Sequence, residues 1–119
     1  MTDSDDELVR WGRVALLETR GRSSGRRRRT AVGFIEEPEG SLLVAATDPE
    51  TDWALNLVAE PRCRVTIGDR QAAYRAEPLD GDARAAAVAA LILRYGTPSE
   101  RLGGGTAFRL VPHERAQPA

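Results

Sequence analysis

Val14-Ala15-Leu16-Leu17-Glu18-Thr19-Arg20-Gly21-Arg22-Ser23-Ser24-Gly25-Arg26-Arg27-Arg28-Arg29-Thr30-Ala31-Val32-Gly33-Phe34-Ile35-Glu36 reads as strand, turn and returning strand. The apolar content of Val14–Thr19 suits a strand, and Gly21–Gly25 is rich in turn-forming residues. From Arg29 to Glu36 the chain returns. Thr30, Val32 and Phe34 fall at alternate positions there, the period of a half-buried strand.

The same alternation of strand and turn continues downstream. Pro38-Glu39-Gly40-Ser41 predicts a tight turn and Leu42–Ala46 a short buried strand. Asp48-Pro49 has the chemistry of a helix start, with Trp53, Ala54, Leu57 and Val58 as its buried side and Pro61 stopping it near Glu60. Arg62–Ile67 and Gln71–Leu79 predict a strand pair around Gly68-Asp69. Asp80-Gly81-Asp82 then opens an Ala-rich helix that ends at Tyr95-Gly96. Thr97-Pro98-Ser99-Glu100 fits a capping box for one more helical turn, and Gly103-Gly104-Gly105 leads into a last strand, Ala107–Val111. At the other end, Met1–Asp5 reads as frayed and Asp6–Arg13 as a short helix with Leu8, Val9 and Trp11 on its apolar side. The order is helix, three strands, helix, two strands, helix, strand. Hairpins outnumber βαβ units, so the expected class is α+β with a mainly antiparallel sheet closing into a small barrel. No repeat or linker divides residues 1–119, and one domain with a polar tail over 113–119 is the expectation.

Composition narrows the function. Apolar residues are 41% of the chain and charged residues 29%, ordinary values for a globular protein. The longest apolar run, Ala85–Leu93, is far below the ~20 residues that span a bilayer. The acidic start, Asp3-Ser4-Asp5-Asp6-Glu7, has no apolar signal region, and the single Cys63 permits no internal disulfide, which together point to a cytoplasmic location. A net charge of -1 argues against a protein that coats nucleic acid. Charge is nevertheless uneven, with eight arginines against one acid, Glu18, between Arg10 and Arg29. Lysine is absent throughout, a feature that fits genomic base composition better than a site.

The strongest chemical signal is Arg20–Arg29. Gly21 and Gly25 let the backbone turn and expose N–H groups, Ser23 and Ser24 donate short hydrogen bonds, and Arg22, Arg26 and Arg28 supply charge-assisted ones. Such a loop can form an anion-binding nest; its plain alternative is a solvated hairpin tip. The four consecutive arginines also admit nucleic-acid binding, against which stands the lack of neighbouring aromatics to stack bases. Trp53 suits either the border of a ring-shaped cofactor or the core. Asn56, polar among apolar neighbours, implies a buried hydrogen bond.

Other chemistries lack their residues. Cys63 and His113 are too far apart in sequence to suggest a metal site or a Cys/His nucleophile, and no Gly-x-Ser-x-Gly elbow or Walker loop occurs. No catalytic acid or base is identifiable; Tyr74 and Tyr95 are candidate proton donors that also read as packing residues. A protein without acid/base machinery fits one that binds and orients a redox cofactor.

Between about Val14 and Pro112 the chain resembles the deazaflavin (F420)-dependent nitroreductases, relatives of the FMN-binding split barrels. Gly21-Arg22-Ser23-Ser24-Gly25 followed by Arg28 is similar to the family's Gly-Arg-Lys-Ser-Gly-x-x-Arg. Trp53-Ala54-Leu55-Asn56-Leu57-Val58-Ala59-Glu60-Pro61 is similar to its Trp-x-x-Asn-Leu-x-Ala-x-Pro. The resemblance implies a split β-barrel with flanking helices that binds reduced coenzyme F420, with FMN as the alternative cofactor. It implies phosphate contacts from Arg22, Ser23, Ser24, Gly25, Arg26 and Arg28, a ring near Ala45, Ala46 and Thr47, and Trp53 and Asn56 as further contacts. Hydride transfer to a small-molecule electron acceptor (quinone, nitro compound or activated alkene) and a homodimer follow as expectations, with a non-catalytic barrel as the other reading. The chain departs from the family pattern at Ser23 (usually Lys), Ala31 (usually Pro), Ala46 (commonly Ser) and Ala54 (commonly aromatic), and in a shorter, acidic Thr47–Asp52 loop.

Overall fold

The structure, a computed structural model, describes residues 11–96 and 105–113. Among the described residues nine elements follow one another: β1 (Ala15–Arg20), β2 (Arg27–Val32), β3 (Ile35–Glu36), β4 (Leu42–Ala45), α1 (Asp52–Ala59), β5 (Arg62–Ile67), β6 (Arg70–Leu79), α2 (Gly81–Tyr95) and β7 (Ala107–Pro112). The strands form one seven-stranded sheet in the order β2-β1-β5-β6-β7-β4-β3, every pairing antiparallel. Its two edge strands, β2 and β3, are separated in the chain only by Gly33 and Phe34. Three Cα–Cα steps from Val32 to Ile35 span at most about 11 Å, so the edges can lie that close only if the sheet curls round on itself. The result is a split, partly closed barrel.

The expected return strand, Arg29–Glu36, is corrected in two ways: it starts at Arg27, and it breaks at Gly33-Phe34. Tyr95, the last residue of α2, causes the break. A Cβ on Gly33 would sit 2.9 Å from the Tyr95 ring, so only glycine lets the corner pass. The Tyr95 hydroxyl donates to the Arg13 carbonyl at 2.6 Å and accepts from the Phe34 N–H at 3.1 Å. A side chain thus takes over pairing that a continuous ladder would have supplied.

Alternation places the core. Ala15, Leu17 and Thr19 of β1 point inward with Val44, Val65, Phe108 and Leu110, and Leu57 of α1 closes one end. α1 lies against β1 and β6, and α2 against β3, β4 and β7. The α2 terminus follows the sequence signal, with Gly96 left-handed at φ 69° and its N–H on the Ile92 carbonyl. α1 starts later than expected, at Asp52 rather than at Asp48-Pro49. The Asp48 carboxylate accepts the Glu50 N–H at 2.9 Å, and this local turn competes with helical pairing. Val58, expected on the buried side, is 61% exposed; Ala54, Asn56 and Leu57 are the buried residues. Trp11 and Gly12 form a turn instead of helix; the rest of the Asp6–Arg13 expectation, the frayed start, the capping box at Thr97–Glu100 and most of the polar tail lie outside the described residues. Among the described residues, no helix is long and apolar enough to cross a membrane.

Cys63, on the inner side of β5 opposite Tyr74, gives a first prediction. Burial pushes its thiol up from 9.0 to about 12. The folded state holds the proton more tightly than the unfolded chain, so this contribution is complete below pH 9.0 and lost as pH rises toward 12. Native protein should resist iodoacetamide at pH 8 and label fully in urea. Denaturant midpoints should fall above pH 9.0, and less so in Cys63→Ala. Rapid native labelling with a flat alkaline profile would contradict the burial.

Candidate functional site

The hairpin between β1 and β2 is shaped by its glycines. Gly25 is left-handed at φ 74°, and a Cβ on Gly21 would lie 3.0 Å from Ser24 Oγ and 3.2 Å from the Arg26 carbonyl. Gly21 N–H donates to the Arg26 carbonyl at 2.7 Å, Gly25 N–H to the Gly21 carbonyl at 2.9 Å, and Arg26 N–H to Ser24 Oγ at 3.1 Å. The loop is therefore folded onto itself and presents Arg22, Ser23 and Ser24 toward α1.

Asn56 joins that loop to the helix. Its carboxamide is 3% exposed and bonded at both ends. Oδ1 accepts from the Arg22 backbone N–H at 3.2 Å and from Arg22 Nη1 at 2.7 Å, while Nδ2 donates to Thr19 Oγ1 at 3.2 Å. The expected buried hydrogen bond is present and extends to a network that also satisfies Thr19, the one buried hydroxyl of β1. Arg22 reaches further, through Nη2 to the Asp52 carboxylate at 3.3 Å.

Between hairpin and helix lies a cleft of about 570 Å³. Arg22, Ser23, Ser24, Arg28, Trp53 and Asn56, all singled out in the sequence, line it together with Thr19, Gly21, Arg29, Thr30, Thr51 and Asp52. Three arginines face one carboxylate there, a lining suited to an anion. Trp53 forms the apolar wall and is backed by Phe108, with ring centroids 6.0 Å apart and planes tilted by 51°. Gly25 and Arg26 belong to the same loop but do not line the cleft.

Ala45, Ala46 and Thr47 stand apart from this lining. Ala46 is 1% exposed and donates its N–H to the Thr106 carbonyl at 2.9 Å. It is locked by Gly105, where a Cβ would fall on the Ala46 carbonyl, and Arg84 Nε holds the Gly105 carbonyl at 3.0 Å. Tyr74 and Tyr95 also lie outside the cleft lining, and burial pushes the Tyr74 phenol above its ordinary range. Among the described residues, no cluster could hold a metal ion. Sequence reading missed Thr19, Thr30, Thr51 and Asp52. The first two had a signal, since they alternate with the core residues of their strands on either side of the basic turn.

The family model described as F420H(2)-dependent quinone reductase matches residues 6–99. This chain belongs to that family. Membership makes it a reductase that uses coenzyme F420. Solved structures agree on the fold. One described as an F420-H2 dependent reductase is 22% identical over 82% of this chain and 93% of its own, with a TM-score of 0.70. Another, described as a domain-swapped dimer, is 21% identical over 91% and 94%, with a TM-score of 0.71. HutZ, the heme storage protein from Vibrio cholerae, is 19% identical over 93% and 89%, with a TM-score of 0.67. No curated protein sequence matches the chain. The split-barrel fold expected of the F420 reductases is the one observed, and the cleft chemistry fits their coenzyme: arginines and hydroxyls at one side suit its anionic part, and Trp53 offers an apolar surface beside them.

Proposed function

We propose that the protein catalyses hydride transfer from reduced F420 to a small electrophilic acceptor, with quinones foremost and nitro compounds or activated alkenes as chemical relatives. The observation that carries this reading is the cleft in which Arg22, Arg28, Ser23 and Ser24 converge opposite Trp53. Arg22 and Arg28 hold the phosphate of the coenzyme by charge-assisted bonds, Ser23 and Ser24 add hydroxyl donors, and Gly25 and Arg26 complete the loop that aims them. Asn56 acts by fixing Arg22, and Trp53 screens the site from water. By likeness to the family the segment Ala45–Thr47 borders the ring beyond the cleft lining, through Ala45 and Thr47 rather than the buried Ala46.

When bound, the reduced coenzyme supplies the hydride. The chain's own residues supply position: a loop and helix fixed before binding spare the complex the entropy of ordering them. An acceptor seated against Trp53 beside the donor is held in reacting position. The likeness to a domain-swapped dimer supports a homodimer, and a buried cysteine left as a free thiol suits the reducing cytoplasm.

The test is a titration of the purified protein with F420 and, in parallel, FMN. Saturable micromolar binding of F420 with none of FMN is the expected result, and it is followed by turnover with a panel of quinones. Binding of FMN alone, or of neither, overturns the reading.

A further inference from the structure

The guanidinium of Arg22 is held in two unlike ways. Nη1 donates to Asn56 Oδ1 at 2.7 Å and to the Asp52 carbonyl at 3.4 Å, and Asn56 is buried and itself fixed by Thr19. Nη2 meets only an exposed carboxylate oxygen of Asp52 at 3.3 Å, on a side chain 87% exposed. The first contact is sheltered from water and bound into a network. The second is a surface ion pair, weak and in ready exchange with solvent ions.

We propose that Asp52 is a displaceable counter-ion: it occupies the free edge of Arg22 in place of a ligand oxyanion, and the ligand's phosphate enters by taking its place. Asp52 lines the same cleft as Arg22 and Arg28 and is the one carboxylate there. It belongs to the first turn of α1, so it cannot leave the site but can turn outward to water. Two consequences follow. A weakly coordinating ion such as chloride gains little by replacing a tethered carboxylate. A multidentate phosphate, bound by Arg28 and the serines as well, gains enough to displace it. Asp52 thereby sets a threshold that selects strong oxyanions, and Asn56 keeps Arg22 aimed during the exchange.

The inference rests on the cleft being the anion site proposed above, and the test separates the two. Inorganic phosphate and F420 are titrated into wild type, Asp52→Asn and Glu50→Gln at low and at 1 M salt. Phosphate binding is followed by the amide resonances of Arg22, Ser23 and Ser24. Glu50→Gln removes the same charge from a residue whose backbone N–H bonds Asp48. At low salt Asp52→Asn should tighten phosphate roughly two- to fivefold and F420 by a similar factor, the range of an exposed ion pair. At 1 M salt the gain should vanish, since screening acts within about 3 Å. Glu50→Gln should show a smaller gain. Unchanged or weaker phosphate binding in Asp52→Asn, an equal gain in Glu50→Gln, or no phosphate binding by any of the three overturns the counter-ion. Tighter phosphate without F420 binding overturns the cofactor assignment and leaves the counter-ion standing.

Discussion

Replacing Arg22 and Arg28 together with alanine is expected to weaken F420 binding by about a hundredfold or more while the protein stays folded. A hydrogen bond to a charged group contributes about 1.5–3 kcal/mol, so the pair accounts for roughly 3–6 kcal/mol of the complex. Stability should change little for a structural reason. The Arg22 backbone N–H still reaches Asn56 Oδ1 at 3.2 Å, so the buried carboxamide keeps a partner when the guanidinium is gone. Titration beside a urea melt measures both quantities. Affinity within threefold of wild type, at unchanged stability, would falsify the phosphate assignment to these two arginines.

Phe108→Ala should produce the largest loss of stability, about 3–5 kcal/mol, the range for emptying a fully buried aromatic site. Phe108 is 0% exposed and stands opposite Val44 and Pro78 in neighbouring strands, so removing it leaves a void between three strands. It also backs Trp53. The cleft wall should therefore loosen with the core. Urea unfolding reads the first effect. Trp53 emission reads the second in a Trp11→Phe background, because Trp11 is 69% exposed and would mask it. A loss below 1 kcal/mol with unchanged emission would show that neither the core nor the wall depends on this ring.

Much of the fold was legible because it follows local rules. Gly21 and Gly25 mark the hairpin, Gly96 ends α2 in the left-handed conformation, and alternation over Thr30, Val32 and Phe34 marks the buried face. What escaped reading was decided by distant contacts. The break at Gly33 depends on Tyr95, a residue on the last turn of α2, and no pattern around Gly33 announces it. The late start of α1 reflects Asp48 bonding Glu50, a choice between two uses of one side chain that sequence leaves open. The same division holds for the cleft. Arg22, Arg28 and Trp53 were readable from motifs, whereas the Asn56–Arg22–Asp52 arrangement joins residues 30 or more positions apart.

The last of the described strands sits inside the sheet rather than at its edge. β7 lies between β6 and β4, pairing Leu42 with Leu110 and Ala76 with Leu110 as well. A chain emerging from the ribosome can therefore build the basic hairpin early, since Leu17 and Thr30 are near neighbours in sequence, but it cannot bring β4 into the sheet until residue 110 is outside the tunnel. Closure waits for β7 to emerge, and until then the inner faces of β4 and β6 remain open to chaperones and to one another.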